Sequence, residues 1–185
     1  LKTSRAFVAI SRPRRFGKTL TLSMLRTFFE IEYDRDGNLM DNSRYFEGMR
    51  ILDAPENILS MMGQYPVINL SLKSAKQPSY REAALQIRDE IVSEFSRHSY
   101  VKDSDRLLEP ERQMFRELLE PRRRSEIGSE EDLKAEIGRY ATALKTLSLC
   151  LARYHNKNVM ILLDEYDVPL ENAYYKGFYE EMVDF

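Results

Sequence analysis

One cysteine, Cys150, serves a chain of 185 residues. A lone thiol makes no internal disulfide and no zinc cluster, which suits a reducing cytosol. Glycine and proline are also scarce, at seven each, while hydrophobic residues reach 43%. That balance excludes collagen-like, mucin-like and wholly disordered chains. An excess of one charge is missing too: 28 Lys and Arg face 30 Asp and Glu, for a net charge of -2. The chain as a whole therefore has no global pull toward nucleic acid or membrane, and any nucleic-acid contact must come from a local basic patch. Long hydrophobic runs are absent as well. The longest aliphatic stretch lies around Val159 to Leu163, far too short to cross a bilayer. No signal peptide is visible, and the expected setting is cytoplasmic with no membrane partner. The first residue is Leu1 rather than Met, so the sequence reads as a piece of something longer. At this length it suits a single domain over 1–185 with a real core.

What is present is an alternation of apolar runs and helical stripes. Ala6 to Ile10 is short, apolar and rich in strand formers, and reads as a buried strand. A loop follows from Ser11 to Phe16. Between Lys18 and Glu30 the positions Leu22, Leu25, Phe28 and Phe29 recur at helical spacing. Asp34 to Asn38 reads as a turn pivoting on Gly37. Pro66 to Leu72 is the second strand, with proline tolerable at its start. Ser79 and Glu82 then make a capping-box pattern ahead of a helix with Tyr80, Ala84, Ile87, Ile91 and Phe95 on one stripe.

From Val101 to Glu136 charge dominates, with 19 of 36 residues ionisable as Lys, Arg, Asp or Glu. Leu107, Leu108, Phe115, Leu118 and Leu119 keep this stretch helical, and Pro110 and Pro121 divide it. Residues 101–128 read as a charged, solvated helical insertion. Ser129 with Asp132 caps what the spacing predicts to be one long helix, with Leu133, Ile137, Tyr140, Leu144, Leu147 and Leu151 on one face. It should end near Tyr154 to Lys157. Val159 to Leu163 is the third strand, apolar on both faces as a strand covered on both sides must be. Strands alternating with helices argue for an α/β domain with a mainly parallel sheet.

Two segments carry chemistry. The first is Arg12 to Thr19, RPRRFGKT, placed between a strand and a helix. A helix N-terminus offers unpaired N–H groups and partial positive charge to a polyphosphate. Gly17 lets the backbone approach, Lys18 brings a mobile charge to the terminal phosphates, and Thr19 brings a hydroxyl for Mg²⁺. The first glycine of the usual G-x-x-x-x-G-K-[ST] loop is Arg12 here. Alone, this segment also suits an ordinary strand–helix turn with basic residues in solvent. The second segment is Asp164-Glu165, at the carboxyl end of a parallel strand, where ligands bind in open α/β sheets. Asp164 would hold Mg²⁺ through water, and Glu165 would orient and deprotonate the attacking water. A plain polar turn before Pro169 is the rival reading of that pair. Both segments in this order, each on its expected strand end, point to a nucleoside triphosphate site.

Ser11 to Thr19 (SRPRRFGKT) with Ile161 to Pro169 (ILLDEYDVP) resembles the predicted AAA-ATPase-like family of bacteria and archaea. Tyr45 to Gly48 (YFEG) and Tyr65 to Val67 (YPV) are similar to further segments of that family. The resemblance spans essentially the whole chain, and within it Arg12 is the usual residue. It implies a P-loop α/β/α sandwich that binds Mg-ATP and, in the intact protein, hydrolyses it to drive a conformational switch or partner remodelling. The nucleotide contacts it implies fall on Arg14, Arg15, Phe16, Gly17, Lys18, Thr19 and Leu20. The metal falls to Thr19 and Asp164, and catalysis to Glu165 and Lys18. Arg14 and Arg15 equally suit contact with a partner or a further domain. Many full-length relatives carry a C-terminal nuclease-like domain, and nucleic acid is a partner the resemblance allows. It also places a sensor strand and any arginine finger after Phe185. The alternatives are a nucleotide-binding interaction module without turnover and a small-molecule kinase; a water-activating Glu165 speaks against the kinase.

Other clusters are weaker. Glu32, Asp34, Asp36 and Asn38 imitate half a calcium loop, but the twelfth position is Ser43. Arg122 to Arg124 lie among acids and read as a solvated helix end. His98 and His155 read as surface histidines ending helices, and Cys150 as a buried structural thiol. Asp167 suits either the magnesium shell or the cap of the turn before Pro169.

Overall fold

A computed structural model describes residues 8–11, 16–34 and 36–184. Helix α1 (Lys18–Phe29) is followed by 3₁₀ turns at Ser43–Phe46 and Arg50–Asp53 and by the one-turn α2 (Glu56–Leu59). Strand β1 (Val67–Ser71) leads through a 3₁₀ turn at Leu72–Ala75 into α3 (Tyr80–Arg97). After a turn at Ser99–Val101 come α4 (Glu109–Leu119), α5 (Glu130–Tyr140) and α6 (Ala143–His155). Strand β2 (Met160–Asp164), α7 (Val168–Lys176) and α8 (Tyr179–Val183) complete the order.

The two strands pair in parallel, with Val67 opposite Met160 and Ser71 opposite Asp164, so their carboxyl ends are level. Side-chain alternation sends the two faces of β1 to two different cores. Val67 joins Leu162, Phe28, Phe29 and Phe46 on the α1 side. Ile68 and Leu70 join Ile91, Phe95, Phe115, Leu147 and Leu151 on the other, under α3, α4 and α6. Helices therefore cover both faces of β1, and the chain is an α/β protein in which helix dominates.

Three expectations need correction. Ala6 and Phe7 of the first expected strand lie outside the described residues, while Val8 to Ile10 form no strand and are exposed. A short apolar run becomes a strand only where a neighbour pairs with it, and among the described residues none does. The third strand exists, but it is covered on one face only. Leu162 is buried against α1, whereas Ile161 and Leu163 are 45% and 40% exposed, because α3 packs under β1 and stops short of β2. The long helix after Ser129 is two helices, divided at Ala141 and Thr142, where Thr142 leaves helical geometry at φ -112 and ψ 10. Leu133 and Ile137 then serve a small core with Ala84, Leu85 and Ile127, while Leu147 and Leu151 serve the main one.

Residues 101–128 hold α4 and two short turns, with Val101, Leu107, Phe115 and Leu118 packed into the main core. Pro110 opens α4 at its second position, where a missing N–H costs nothing. The basic run is largely paired: Arg122 meets Asp132, and Arg124 meets Asp89. Beneath it the buried Arg88 donates to Glu136, also buried, and to the Arg122 carbonyl. These charges tie the segment to α3 and α5, with Arg123 and Arg124 exposed as expected. Among the described residues, no helix is long and apolar enough to cross a membrane.

Candidate functional site

The site forms where the start of α1 faces the carboxyl end of β2. Gly17 caps α1 with φ 70 and ψ 26, the left-handed region that glycine adopts without strain. A Cβ there would meet nothing within 4 Å, so the demand for glycine comes from the turn and not from crowding. Thr21 returns both its backbone N–H and its hydroxyl to the Gly17 carbonyl, at 2.9 and 3.0 Å, fixing the first turn. No side chain caps this helix start and its first turn carries no acid. The N–H groups of a helix start suit an anion.

Lys18 and Thr19 are the first two residues of α1. The Thr19 hydroxyl donates to an Asp164 carboxylate oxygen at 2.7 Å, across 145 positions of sequence. Both groups are hard oxygen donors, the set that Mg²⁺ takes while keeping several waters. The pair thus fits the ion with two protein oxygens. Among the described residues no group of three His, Cys, Asp or Glu forms a denser metal cage.

Glu165 follows directly, half-buried, at φ 52. For a non-glycine residue this left-handed conformation is strained and often marks a functional position. The Val168 N–H donates to the Glu165 carbonyl at 3.1 Å, closing the turn that launches α7. Asp167 is the N-cap residue of α7 but makes no side-chain cap bond. Phe16 and Leu20, also expected to touch nucleotide, are exposed at the same helix start. Arg14 and Arg15 lie outside the described residues.

Behind the site, sequence reasoning missed a polar cluster that anchors the far end of α1. Glu30, buried after the last turn of α1, accepts from Arg26 at 2.6 Å and from Arg97 of α3. Arg97 also donates to Glu94 and to the Val67 carbonyl of β1. Burial alone would push the Glu94 carboxyl up, but bonds from His98, Arg97 and the Asn69 backbone hold it down to about 2. The legible signal was Glu94, Arg97 and His98 at three- and four-residue spacing on one helix face.

The expectation for His98 is corrected here, while His155 ends α6 as expected and is half-buried. His98 is buried, with Nε2 3.1 Å from the Val67 carbonyl and Nδ1 3.3 Å from the Tyr100 hydroxyl. That hydroxyl lies 2.9 Å from His155 Nε2, so both histidines meet one tyrosine. Burial first, and then the neighbouring His98 and Arg106, lower His155 to about 4. The calcium-like segment is a turn: Asp34 accepts from the Asp36 and Asn38 backbones and from the Asn38 amide. Cys150 is buried as expected, and burial pushes its thiol up to about 11, away from nucleophilic use.

A family model described as "Predicted AAA-ATPase" matches residues 1–185. No curated protein and no solved structure matches the chain.

Proposed function

The chain belongs to the predicted AAA-ATPase family, and from that premise we propose that it binds Mg-ATP in a P-loop α/β/α domain and takes part in ATP hydrolysis. The observation that carries the reading is the 2.7 Å bond between Thr19 and Asp164, which joins the loop-side hydroxyl to the strand-end carboxylate. Residues so far apart in sequence have no local reason to meet.

In this reading the exposed start of α1 receives the phosphates, and Lys18 holds the terminal one as a mobile point charge. Thr19 and Asp164 hold the Mg²⁺ ion, which when bound spreads the phosphate charge. Glu165 accepts a hydrogen bond from water and takes its proton as that water's oxygen bonds to the terminal phosphorus. The bond from phosphorus to the bridging oxygen breaks, leaving ADP and inorganic phosphate. The positive φ at Glu165, rare for a non-glycine residue, supports a functional role for this position. Turnover then drives a conformational switch or the remodelling of a partner.

A thermal-unfolding titration with Mg-ATP and Mg-GTP, beside a Lys18→Ala control, tests the binding. Ligand at a hundredfold its dissociation constant adds about 2.7 kcal/mol to stability. A shift with ATP that the control lacks is the expected result. No shift with either nucleotide, or an equal shift in the control, would overturn the reading.

A further inference from the structure

Beyond the nucleotide site, the segment after β2 builds a surface of a different kind. Helix α7 is docked on the core by Pro169, Asn172 and Ala173, and the buried Asn172 amide donates to the Gln77 carbonyl at 2.6 Å. That contact turns the opposite face outward. There, Tyr166, Asp167, Leu170, Tyr174, Tyr175 and Tyr179 line an open groove of about 360 Å³. Tyr174 and Tyr175 are 71% and 76% exposed, the most exposed large rings described. Tyr174 stands edge-on to Tyr175 at 5.7 Å and to Tyr179 at 6.2 Å, leaving ring faces open to solvent.

Exposed aromatic clusters of this extent mark interaction sites more often than chance packing. The charge lining this one has one sign: among the described residues its wall carries the carboxylates of Asp167 and Glu171 and no lysine or arginine. Phosphate backbones are repelled by such a field, whereas cations are drawn to it. Tyrosine faces are themselves cation-seeking, and arginine is their commonest partner. The protein shows this pairing internally: Arg44, Arg106 and Arg139 lie over the rings of Tyr45, Tyr154 and Tyr140. Among the described residues, no arginine lies over Tyr166, Tyr174, Tyr175 or Tyr179.

We propose that this groove docks an arginine-bearing polypeptide segment of a partner protein, its guanidinium groups lying on the tyrosine faces and its charge balanced by Asp167. Planarity makes arginine the better fit, because an ammonium cannot stack on a ring. The groove begins one residue after Glu165, so an occupant would sit beside the nucleotide site without entering it. The inference stands whether or not the chain hydrolyses ATP.

The test is an anisotropy titration of the 185-residue chain with a labelled oligo-arginine peptide, beside an oligo-lysine peptide and a thymidine oligonucleotide of equal length. Saturable binding of the arginine peptide, about tenfold tighter than the lysine peptide, is expected. It should fall about tenfold in Tyr174→Ala/Tyr175→Ala and survive in Tyr174→Phe/Tyr175→Phe, which keeps the rings. Asp167→Asn, far smaller in steric effect, should weaken binding and reduce its salt dependence. Equal binding of both peptides, undiminished binding in the alanine pair, or preference for the oligonucleotide would overturn the proposal. Self-association of the chain that disappears in the alanine pair would assign the groove to a second copy instead, and would overturn it too.

Discussion

Arg88 and Glu136 face each other at 3.2 Å with their side chains 3% and 0% exposed, joining α3 to α5 inside the protein. Glu136 also accepts from Arg139 and from the Arg122 backbone, and Arg88 reaches Asp89 and the Arg122 carbonyl. Breaking such a pair leaves an uncompensated charge, while replacing both members leaves none. Arg88→Met alone should therefore cost about 3 kcal/mol, and Arg88→Met/Glu136→Leu should recover most of that loss. Denaturant unfolding of the two single variants and the double variant measures the coupling. Additive losses would show that the two groups do not act as a pair.

Glu165 offers a test of strain against function. Its positive φ costs about 1 kcal/mol or more that glycine would not incur. Glu165→Gly should thus raise the unfolding midpoint, despite removing a side chain. The same change should abolish ATP turnover, as should Glu165→Gln, while Glu165→Gln leaves stability and ATP binding in place. A fall in stability on Glu165→Gly would mean that the side chain holds the turn.

Phe115 asks whether the 101–128 segment is separable. Its ring packs on Phe95 at 4.9 Å, and both are fully buried. Phe115→Ala should cost about 3–5 kcal/mol, the range for an aromatic ring removed from a core. Removing residues 101–128 should unfold the chain, as read by circular dichroism. A stable, cooperative protein after that deletion would show that the segment is separable from the core.

His155 makes stability depend on pH. His155 is held down to about 4 in the fold, against ~6.5 in an unfolded chain. The unfolded state therefore binds the extra proton first, and stability falls as pH drops from ~6.5 toward 4. Glu94, held at about 2, adds a second loss as pH drops below ~4.5. Unfolding midpoints measured from pH 7 to pH 4 should slope in the wild type and flatten in His155→Phe. Equal slopes would mean that His155 is solvated in the folded protein.

How much of this was legible follows the range of the interaction involved. Ser79 and Ser129 announce the starts of α3 and α5 because a capping box is local, and both accept from the backbone N–H three residues on. The two observed strands show as bounded apolar runs, and their boundaries moved by about one residue. The break between α5 and α6 was hidden because apolar spacing continues straight across Ala141 and Thr142. His98 looked like a surface residue because nothing near it in sequence shows that α3 ends against the Val67 carbonyl. At the site, Gly17, Lys18, Thr19, Asp164 and Glu165 stood out by residue type and order. Their meeting, and the left-handed turn at Glu165, depend on packing between α1 and β2.

The Glu30 cluster bears on how α1 is anchored. Arg26 and Arg97 grip the carboxylate that follows its last turn, and Arg97 is itself fastened to β1. The other end of the helix, some 18 Å away at this length, carries Lys18 and Thr19, whose hydroxyl donates to Asp164 of β2. The last turn of α1 is therefore tied to α3 and β1 by charge, so whatever meets Lys18 and Thr19 meets a helix whose far end is already joined to the sheet.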